Sequence, residues 1–223
     1  GIRDRDVTGV QTCALPISAT AGTDYTSANG TVTFAPGVLQ QTIPVSVLGD
    51  AVFEADETFV VNLTNPTGGT LGTAQATGTI VNDEATPSLT IGNLALTEGN
   101  AGTQNAVFTV TLSPVSSLTT TVNWSTADGT ATAPSDYAAG NGILTFTPGT
   151  ATQTITVPVV GDALFEVNET FTVALSGPVN AGIGVGTGTA TITNDDATPS
   201  LAIGNASVTE GNAGTVNAVF TVT

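Results

Sequence analysis

The sequence predicts an all-β protein of immunoglobulin-like sandwiches, each with seven antiparallel strands, arranged in tandem. The chain of 223 residues contains an internal repeat with an offset of 112 residues. The sequence ATPSL occurs at residues 85–89 and again at residues 197–201, and the residues that follow the two copies are nearly the same. Within one repeat, threonines alternate with Val, Ile, Leu or Phe, which is typical of strands that bury one face. A period this long is one whole domain, and short strands separated by Gly, Pro and Asn turns favour a two-sheet sandwich.

In the complete repeat we predict seven strands, which we name A to G in chain order. Their ranges are 89–97, 105–112, 119–126, 142–147, 152–160, 169–176 and 187–194. Pro158 within strand E cannot donate a ladder hydrogen bond, so we expect E to lie at a sheet edge. The glycine-rich stretch 182–188 precedes no helix, and we expect a flexible F–G loop there.

The alternation also predicts which side chains form the core. We place Trp124 in the core because it is in phase with Val122 on strand C. The other predicted inward residues are Phe108, Val110, Leu112, Leu144, Phe146, Ile155, Val157, Val159, Phe171, Val173, Leu175, Ala190 and Ile192.

The repeat offset also predicts where the domains begin and end. Residues 7–17 (VTGVQTCALPI) resemble a translated sequencing-adapter oligonucleotide, and Pro16 stands where the offset calls for the counterpart of Asp128. We therefore expect residues 1–17 to be foreign to the array and to take no part in its fold. The remaining predicted units are a partial repeat at 18–84 (strands D to G), a complete repeat at 85–196 and a partial repeat at 197–223 (strands A and B).

Composition excludes several classes of function. The only basic residues, Arg3 and Arg5, and the only cysteine, Cys13, lie in the excluded segment, and the chain has no histidine. A surface without cations repels phosphate, so nucleic-acid binding is not expected. The repeats can form neither a disulfide framework nor a Cys/His metal site. They also offer no His, Lys, Arg or Cys for catalysis, and the loops lack the aromatic platforms of a sugar cleft, so we predict that the protein is not an enzyme.

All carboxylates of the complete repeat fall at one predicted end of the sandwich. If successive strands are antiparallel, the A–B, C–D and E–F connections and the exit from G share that end. The acids there are Glu98, Asp128, Asp136, Asp162, Glu166, Glu169, Asp195 and Asp196, and the opposite end has none. Closely packed carboxylates without a cation repel one another and resist ionisation. A solvated acidic surface remains an alternative, but calcium, which takes six to eight oxygen ligands, fits better, and magnesium fits less well.

The complete repeat resembles the Calx-beta domain, the module known from regulatory loops of sodium–calcium exchangers and from large bacterial surface proteins. The motifs that carry the resemblance are DGTA at 128–131, DY at 136–137, GDALFEVNETF at 161–171 and NDD at 194–196. The resemblance implies a calcium-binding sandwich. The matching metal ligands would be Glu98, Asp128, Asp162, Glu166, Glu169, Asp195 and Asp196.

The chain departs from that family pattern in two places. Gly161 and Ala163 flank Asp162 where the exchanger type has a run of acids, which implies fewer ions or weaker binding. Asp136 precedes Tyr137, and we expect it to order the loop by hydrogen bonding rather than to bind metal. The partial repeats lack several of the strands and ligands, so we expect weaker binding there.

These observations lead to one main functional hypothesis and one alternative. Strand G leaves at the acidic end, and only ATPS (197–200) separates it from the next strand A, so neighbouring repeats are expected partners. We expect a calcium-stiffened structural or adhesive rod in an extracellular or cell-surface protein, bacterial and either secreted or membrane-anchored, which reaches a surface or matrix ligand through other domains. The alternative is a calcium-sensing regulatory module of a membrane transporter.

Overall fold

The structure is a computed structural model that describes residues 18–223 in full and, in addition, the backbone of Arg5–Thr12. The described residues form strands and turns without any helix, so none of them belongs to a helix that could cross a membrane. The strands of the described part are β1 (Arg5–Thr12), β2 (Asn29–Phe34), β3 (Glu57–Leu63), β4 (Pro66–Thr67), β5 (Gln75–Ile80), β6 (Ser88–Ile91), β7 (Leu94–Thr97), β8 (Gly102–Ser113), β9 (Thr120–Asp128), β10 (Asn141–Phe146), β11 (Thr152–Gly161), β12 (Glu169–Val179), β13 (Gly182–Val185) and β14 (Thr187–Thr193).

The complete repeat is a two-sheet sandwich, as the alternation predicts. One sheet has the order β10-β9-β12-β14-β7, and the other has the order β11-β8-β6-β13. Strands B to G correspond to β8, β9, β10, β11, β12 and β14. The predicted edge position of strand E is confirmed, because β11 lies at the end of its sheet and pairs Pro158 with Asn105 of β8.

Strand A differs from the prediction because it is divided between the two sheets. β6 pairs antiparallel with β8, whereas β7 pairs parallel with β14 in the opposite sheet. The chain crosses at Gly92 and Asn93, where the Asn93 side chain accepts a hydrogen bond of 2.8 Å from the Thr189 amide. A Cβ on Gly188 would lie 2.7 Å from the Gly92 carbonyl oxygen, so the crossing also needs a glycine opposite it.

The expectation of a flexible loop at 182–188 is wrong, because only Gly186 lies outside a strand there. Gly182–Val185 forms β13, which pairs in parallel with β6 at the edge of the second sheet. The Gly182 amide donates to the Pro87 carbonyl at 2.8 Å, so this edge also ties down the linker that enters the repeat.

The core lies between the two sheets and contains the predicted inward residues. Most are fully buried, while Trp124 and Leu144 are partly buried and pack against the core from its side. At the centre, the Phe171 ring stacks on Tyr137 with centroids 4.3 Å apart and meets Phe108 edge-on at 6.0 Å. This aromatic stack joins the core to the C–D loop, in which Tyr137 lies.

The first repeat forms a smaller unit. Its sheet has the order β2-β1-β3-β5, with β4 also paired to β1. β1 takes the place that β9 takes in the complete repeat: Val10 lies opposite Gly30 and Leu63, as Trp124 lies opposite Gly142 and Leu175. Part of the predicted foreign segment therefore pairs as a strand, while its side chains and residues 1–4 and 13–17 lie outside the described residues.

The first repeat also has its own aromatic stack. Tyr25 and Phe59 have centroids 5.0 Å apart and correspond to Tyr137 and Phe171. In the third, partial repeat, the described residues show a bridge between Ile203 and Val222, and Leu201 and Val219 are exposed.

Replacing Phe171 by Ala is expected to lower the free energy of unfolding of the complete repeat by about 3–5 kcal/mol, since the buried ring leaves a cavity beneath Tyr137. Urea unfolding followed by the fluorescence of Trp124, the only tryptophan of the chain, measures this. Ile143→Ala is the control, because Ile143 is 69% exposed and its truncation should change stability by no more than about 0.5 kcal/mol. Equal effects of the two substitutions would contradict the assignment of the core.

Candidate metal centre

The acidic residues of the complete repeat converge where β7, β9, β11 and β14 end and β12 begins. Gly161, the last residue of β11, lies against the end of β7, and a Cβ there would come within 2.1 Å of the Gly99 carbonyl oxygen. A glycine at this position therefore lets the E–F loop approach the backbone that carries Glu98. This approach brings acids from both sheets together.

The first group of acids contains Glu98, Asp195 and Asp196. One carboxylate oxygen from each lies within 4.8 Å of the others. Glu98 is only 5% exposed, and among the described residues its Oε1 has no hydrogen-bond partner, as is also true of Asp196 Oδ2. The Gly99 amide donates to Asp195 Oδ1 at 3.2 Å, which holds the Asp195 side chain in position.

The second group contains Asp136, Glu166 and Glu169, again with oxygens within 4.8 Å of one another. Asp136 also does what the sequence predicts, because its Oδ2 accepts hydrogen bonds from the Thr132 amide at 2.7 Å and the Thr132 hydroxyl at 3.2 Å. It therefore orders the C–D loop and faces the other two acids at the same time.

Two predicted ligands lie outside these groups. Asp128 Oδ1 accepts hydrogen bonds from the Tyr137 hydroxyl at 2.5 Å and from the Ala133 amide at 3.1 Å, so it orders the C–D loop. Asp162 Oδ1 accepts from the Leu164 amide at 2.7 Å, which turns the E–F loop. Asp162 still lies close enough to both groups to raise the pKa of Glu98 and of Glu166.

The sequence reasoning missed Asn194, which connects the two groups. Its Oδ1 accepts from the Glu166 amide at 3.0 Å, and its Nδ2 donates to the Asp196 carbonyl at 3.0 Å. The sequence does indicate this residue in one way, because the first repeat has Asn82 at the equivalent position. Asn82 makes the same contacts, to the Glu54 amide and the Glu84 carbonyl, at 2.9 Å each. Apart from this repetition, nothing in the sequence distinguishes an asparagine that links two backbone segments from any other polar loop residue.

The carboxylates of the two groups also act on one another electrostatically. Burial, followed by the charges of Glu166, Asp196, Asp162 and Asp195, raises the pKa of Glu98. Burial and the neighbouring Asp136 raise the pKa of Glu169 to about 7. Burial would also raise the pKa of Asp136, but hydrogen bonds from Thr132 and Ser135 outweigh it and hold this pKa below its usual value. Below about pH 7 the Asp136–Glu169 pair therefore holds one proton, which resides on Glu169.

This arrangement fits a hard divalent cation. Residues 18–223 contain no Lys, Arg or His that could neutralise the carboxylates. Two ligands on opposite sides of a calcium ion lie about 4.6–5.2 Å apart, and the oxygens of each group fall within that distance. A buried carboxylate oxygen without a partner is costly unless a proton or a cation satisfies it.

The first repeat contains a third group, formed by Asp24, Glu54 and Glu57, which are the counterparts of Asp136, Glu166 and Glu169. It borders an open cleft of about 300 Å³ that Asp50, Asp83 and Glu84 also line. Burial and the charge of Asp24 raise the pKa of Glu57, as burial and Asp136 do for Glu169. The duplicated acids therefore shift the pKa of Glu57 in the same direction as that of Glu169.

Comparison with known proteins identifies the family. The Calx-beta domain model matches residues 11–84 and 94–198. The chain belongs to the Calx-beta domain family. This confirms the resemblance that the motifs predict, and the first matched segment begins within β1.

Two relatives show the breadth of the family. Extracellular matrix protein 3 of Lytechinus variegatus is 33% identical over 180 residues, which cover 74% of this chain and 6% of that protein. Sodium/calcium exchanger Calx of Drosophila melanogaster is 29% identical over 167 residues, covering 72% of this chain and 17% of the exchanger. This Calx-beta chain therefore spans only a small part of the length of either relative.

A solved structure of the apo-form Calx CBD1 domain is also similar. It aligns with a TM-score of 0.45 and 26% identity, covering 50% of this chain and 100% of that domain.

Without metal, the free energy of unfolding should fall as the pH rises from about 4.5 to above 7. Within this interval the folded state holds the Glu169 proton more tightly than the unfolded chain does, so unfolding releases protons. Glu98 and Glu166 act in the same direction, whereas the lowered pKa of Asp136 affects stability only below about 3.8. Urea unfolding in a chelator at several pH values measures the slope.

Glu169→Gln is the matched variant for the pH series. It should flatten the slope, because the amide cannot titrate. A metal-free stability that stays constant or rises through this interval would contradict the assigned electrostatics.

Proposed function

We propose that residues 85–196 are a calcium-binding structural repeat of a larger extracellular or cell-surface protein. The observation that carries the proposal is the buried Glu98 carboxylate: its Oε1 lacks a partner among the described residues, and the carboxylate lies beside Asp195 and Asp196 in a repeat, 85–196, without a Lys, Arg or His. The full predicted ligand set remains Glu98, Asp128, Asp162, Glu166, Glu169, Asp195 and Asp196. The structure adds Asp136 as a candidate.

Two ions, one in each group, suit the geometry better than one. Glu98, Asp195 and Asp196 would hold the first, while Asp136, Glu166 and Glu169 would hold the second. Asp162 lies close enough to both groups to affect the pKa of a member of each. Calcium suits such sites better than magnesium does, because it accepts six to eight oxygens in flexible geometry.

The role of the bound ions follows from the position of the site. The acidic end of the first repeat contacts the second repeat, and the chain leaves each repeat beside the acids. Calcium would neutralise this end, order the C–D and E–F loops and stiffen the connection. The similarity to an extracellular matrix protein supports a structural role outside the cell. We further propose that the ends of the parent protein carry its adhesive contacts and that residues 1–17 do not belong to the array.

The similarity to Sodium/calcium exchanger Calx supports a second role, as a calcium-sensing module of a transporter. The duplicated repeats and their direct contact favour the structural role, because a continuous series of similar domains is the arrangement of a spacer.

Calcium at about ten to one hundred times its dissociation constant should add about 1.4–2.7 kcal/mol to the stability of the complete repeat. This corresponds to a rise of roughly 5–15 °C in the melting temperature, which Trp124 fluorescence can follow in the full chain. Magnesium at the same concentration should give a smaller rise. An unchanged melting temperature in calcium would overturn the proposal.

The variant Glu98→Gln tests whether Glu98 is a calcium ligand or has only a structural role. Removal of one buried, repelling charge should raise the melting temperature in chelator, while the calcium-dependent rise should become smaller, because only the ion held by Asp136, Glu166 and Glu169 would remain. The matched control is Glu210→Gln, which makes the same change at an exposed residue of the third repeat. A Glu98 with only a structural role would instead give a lower melting temperature with the calcium response retained.

Small-angle scattering tests the stiffening. Calcium should narrow the distribution of distances between the first and second repeats in the full chain. Glu54→Gln with Glu57→Gln should reduce this response, since both residues belong to the acidic group at the contact. An identical distribution with and without calcium would leave the repeat as a calcium-binding domain without a stiffening role.

A further inference from the structure

The contact between the first and second repeats is a short backbone bridge. The Phe53 amide, in the E–F loop of the first repeat, donates to the Val115 carbonyl in the B–C loop of the second at 2.9 Å. The Ser117 amide donates back to the Phe53 carbonyl at 2.9 Å, and the Ser116 hydroxyl lies 3.3 Å from the same oxygen. The two loops thus pair in the manner of parallel strands.

The receiving B–C loop is held in place by its own repeat. Ser116 is 1% exposed, its Oγ accepts from the Leu118 amide at 3.0 Å, and its carbonyl accepts from the Gly149 amide of the D–E turn at 2.9 Å. Because these bonds lie within one repeat, they fix the loop in a shape that accepts an incoming Phe53.

The complete repeat carries the same E–F loop in the same conformation. Asp162 accepts from the Leu164 amide at 2.7 Å, as Asp50 accepts from the Val52 amide at 2.7 Å. The loop is also fastened by Asn194 at 3.0 Å, as the first repeat's loop is by Asn82 at 2.9 Å.

The exposure of the two loop tips differs. Val52 and Phe53 are half-buried, and Phe53 pairs with the second repeat. Their counterparts, Leu164 and Phe165, are 65% and 43% exposed. The third repeat contributes strands A and B as far as Thr223, and the counterpart of its B–C loop would come after that residue. Leu164 and Phe165 therefore form an exposed apolar loop tip. None of the described residues contacts this tip in the way that the B–C loop of the second repeat contacts Phe53.

We propose that Leu164–Phe165 is a docking surface for the B–C loop of the next Calx-beta repeat in the array, which is the third repeat in its complete form. Its Phe165 backbone would exchange the two hydrogen bonds that Phe53 makes with Val115 and Ser117. The bridge uses backbone groups and the Ser116 hydroxyl, and no carboxylate of the described residues takes part in its hydrogen bonds. The joint is thus a recognition element separate from the metal site, and it forms with or without calcium.

The test uses the full chain and a version continued after Thr223 with the sequence of residues 112–196, which completes the third repeat. Amide hydrogen exchange read by NMR reports on single residues. The Phe165 amide should exchange at least about tenfold more slowly in the extended chain, because it becomes hydrogen-bonded. The Phe53 amide, protected in both chains, is the internal reference.

Variants of the extended chain show whether the apolar tip is responsible. Phe165→Ser should remove the protection at the counterpart of Ser117 in the completed repeat, whereas Ile143→Ser, at an exposed site on β10, should leave it unchanged. Phe165 is exposed in the structure, so its substitution should not unfold the domain, and Trp124 fluorescence verifies this.

Three outcomes would overturn the docking surface as proposed. Unchanged exchange at Phe165 in the extended chain would show that no joint forms. Protection that depends on protein concentration would show that a second chain is the partner. Protection that disappears in chelator would make the joint a consequence of metal binding. A failed calcium titration with retained protection would overturn the metal proposal and leave the joint in place.

Discussion

Mutual repulsion between unpaired carboxylates is the constraint on which the acidic end of this sandwich depends. No cationic side chain occurs in residues 18–223, so burial and like charge together raise the pKa of Glu98, Glu166 and Glu169. The folding free energy of the sandwich must hold these groups together. The loops contribute by directing amides at acids, as Gly99 does toward Asp195 and Leu164 toward Asp162. The same repulsion that opposes folding becomes free energy available for binding a cation.

Tyr137 connects the hydrophobic core to the C–D loop at the acidic end. Its ring stacks on Phe171 inside the sandwich, and its hydroxyl donates to Asp128 in the loop. Burial and the Asp128 carboxylate raise the pKa of Tyr137 to about 12, so it remains a donor throughout the physiological range. The C–D loop that carries Asp136 is therefore fixed by core packing. The repetition of this stack at Tyr25 and Phe59 explains why the smaller first repeat still brings three acids together.

The sequence predicted the sandwich and the acidic end because both depend on regular patterns. Alternation shows which face of β8, β11 or β12 is buried, and the antiparallel order assigns each loop to an end. The details that were missed depend on single contacts between distant residues. The crossing of strand A requires Asn93 to reach β14, and the pairing of β13 with β6 gives order to a glycine-rich stretch. Likewise, Tyr137 determines that Asp128 orders a loop while Asp136, eight residues later, faces Glu166 and Glu169.

The E–F loop serves both the candidate metal site and the joint, and its hydrogen bonds show how it does so. In the first repeat, Asp50 turns the chain at Val52, and Asn82 fastens it at Glu54. Phe53 lies between these two points and is the residue that pairs with the next repeat. Glu54 belongs to the acidic group of its own repeat, whereas Phe53 pairs with the next repeat. We infer that a cation which holds Glu54 or Glu166 also limits the motion of the adjoining phenylalanine. The joint can then form without the ion, while the ion restricts the angle at which it bends.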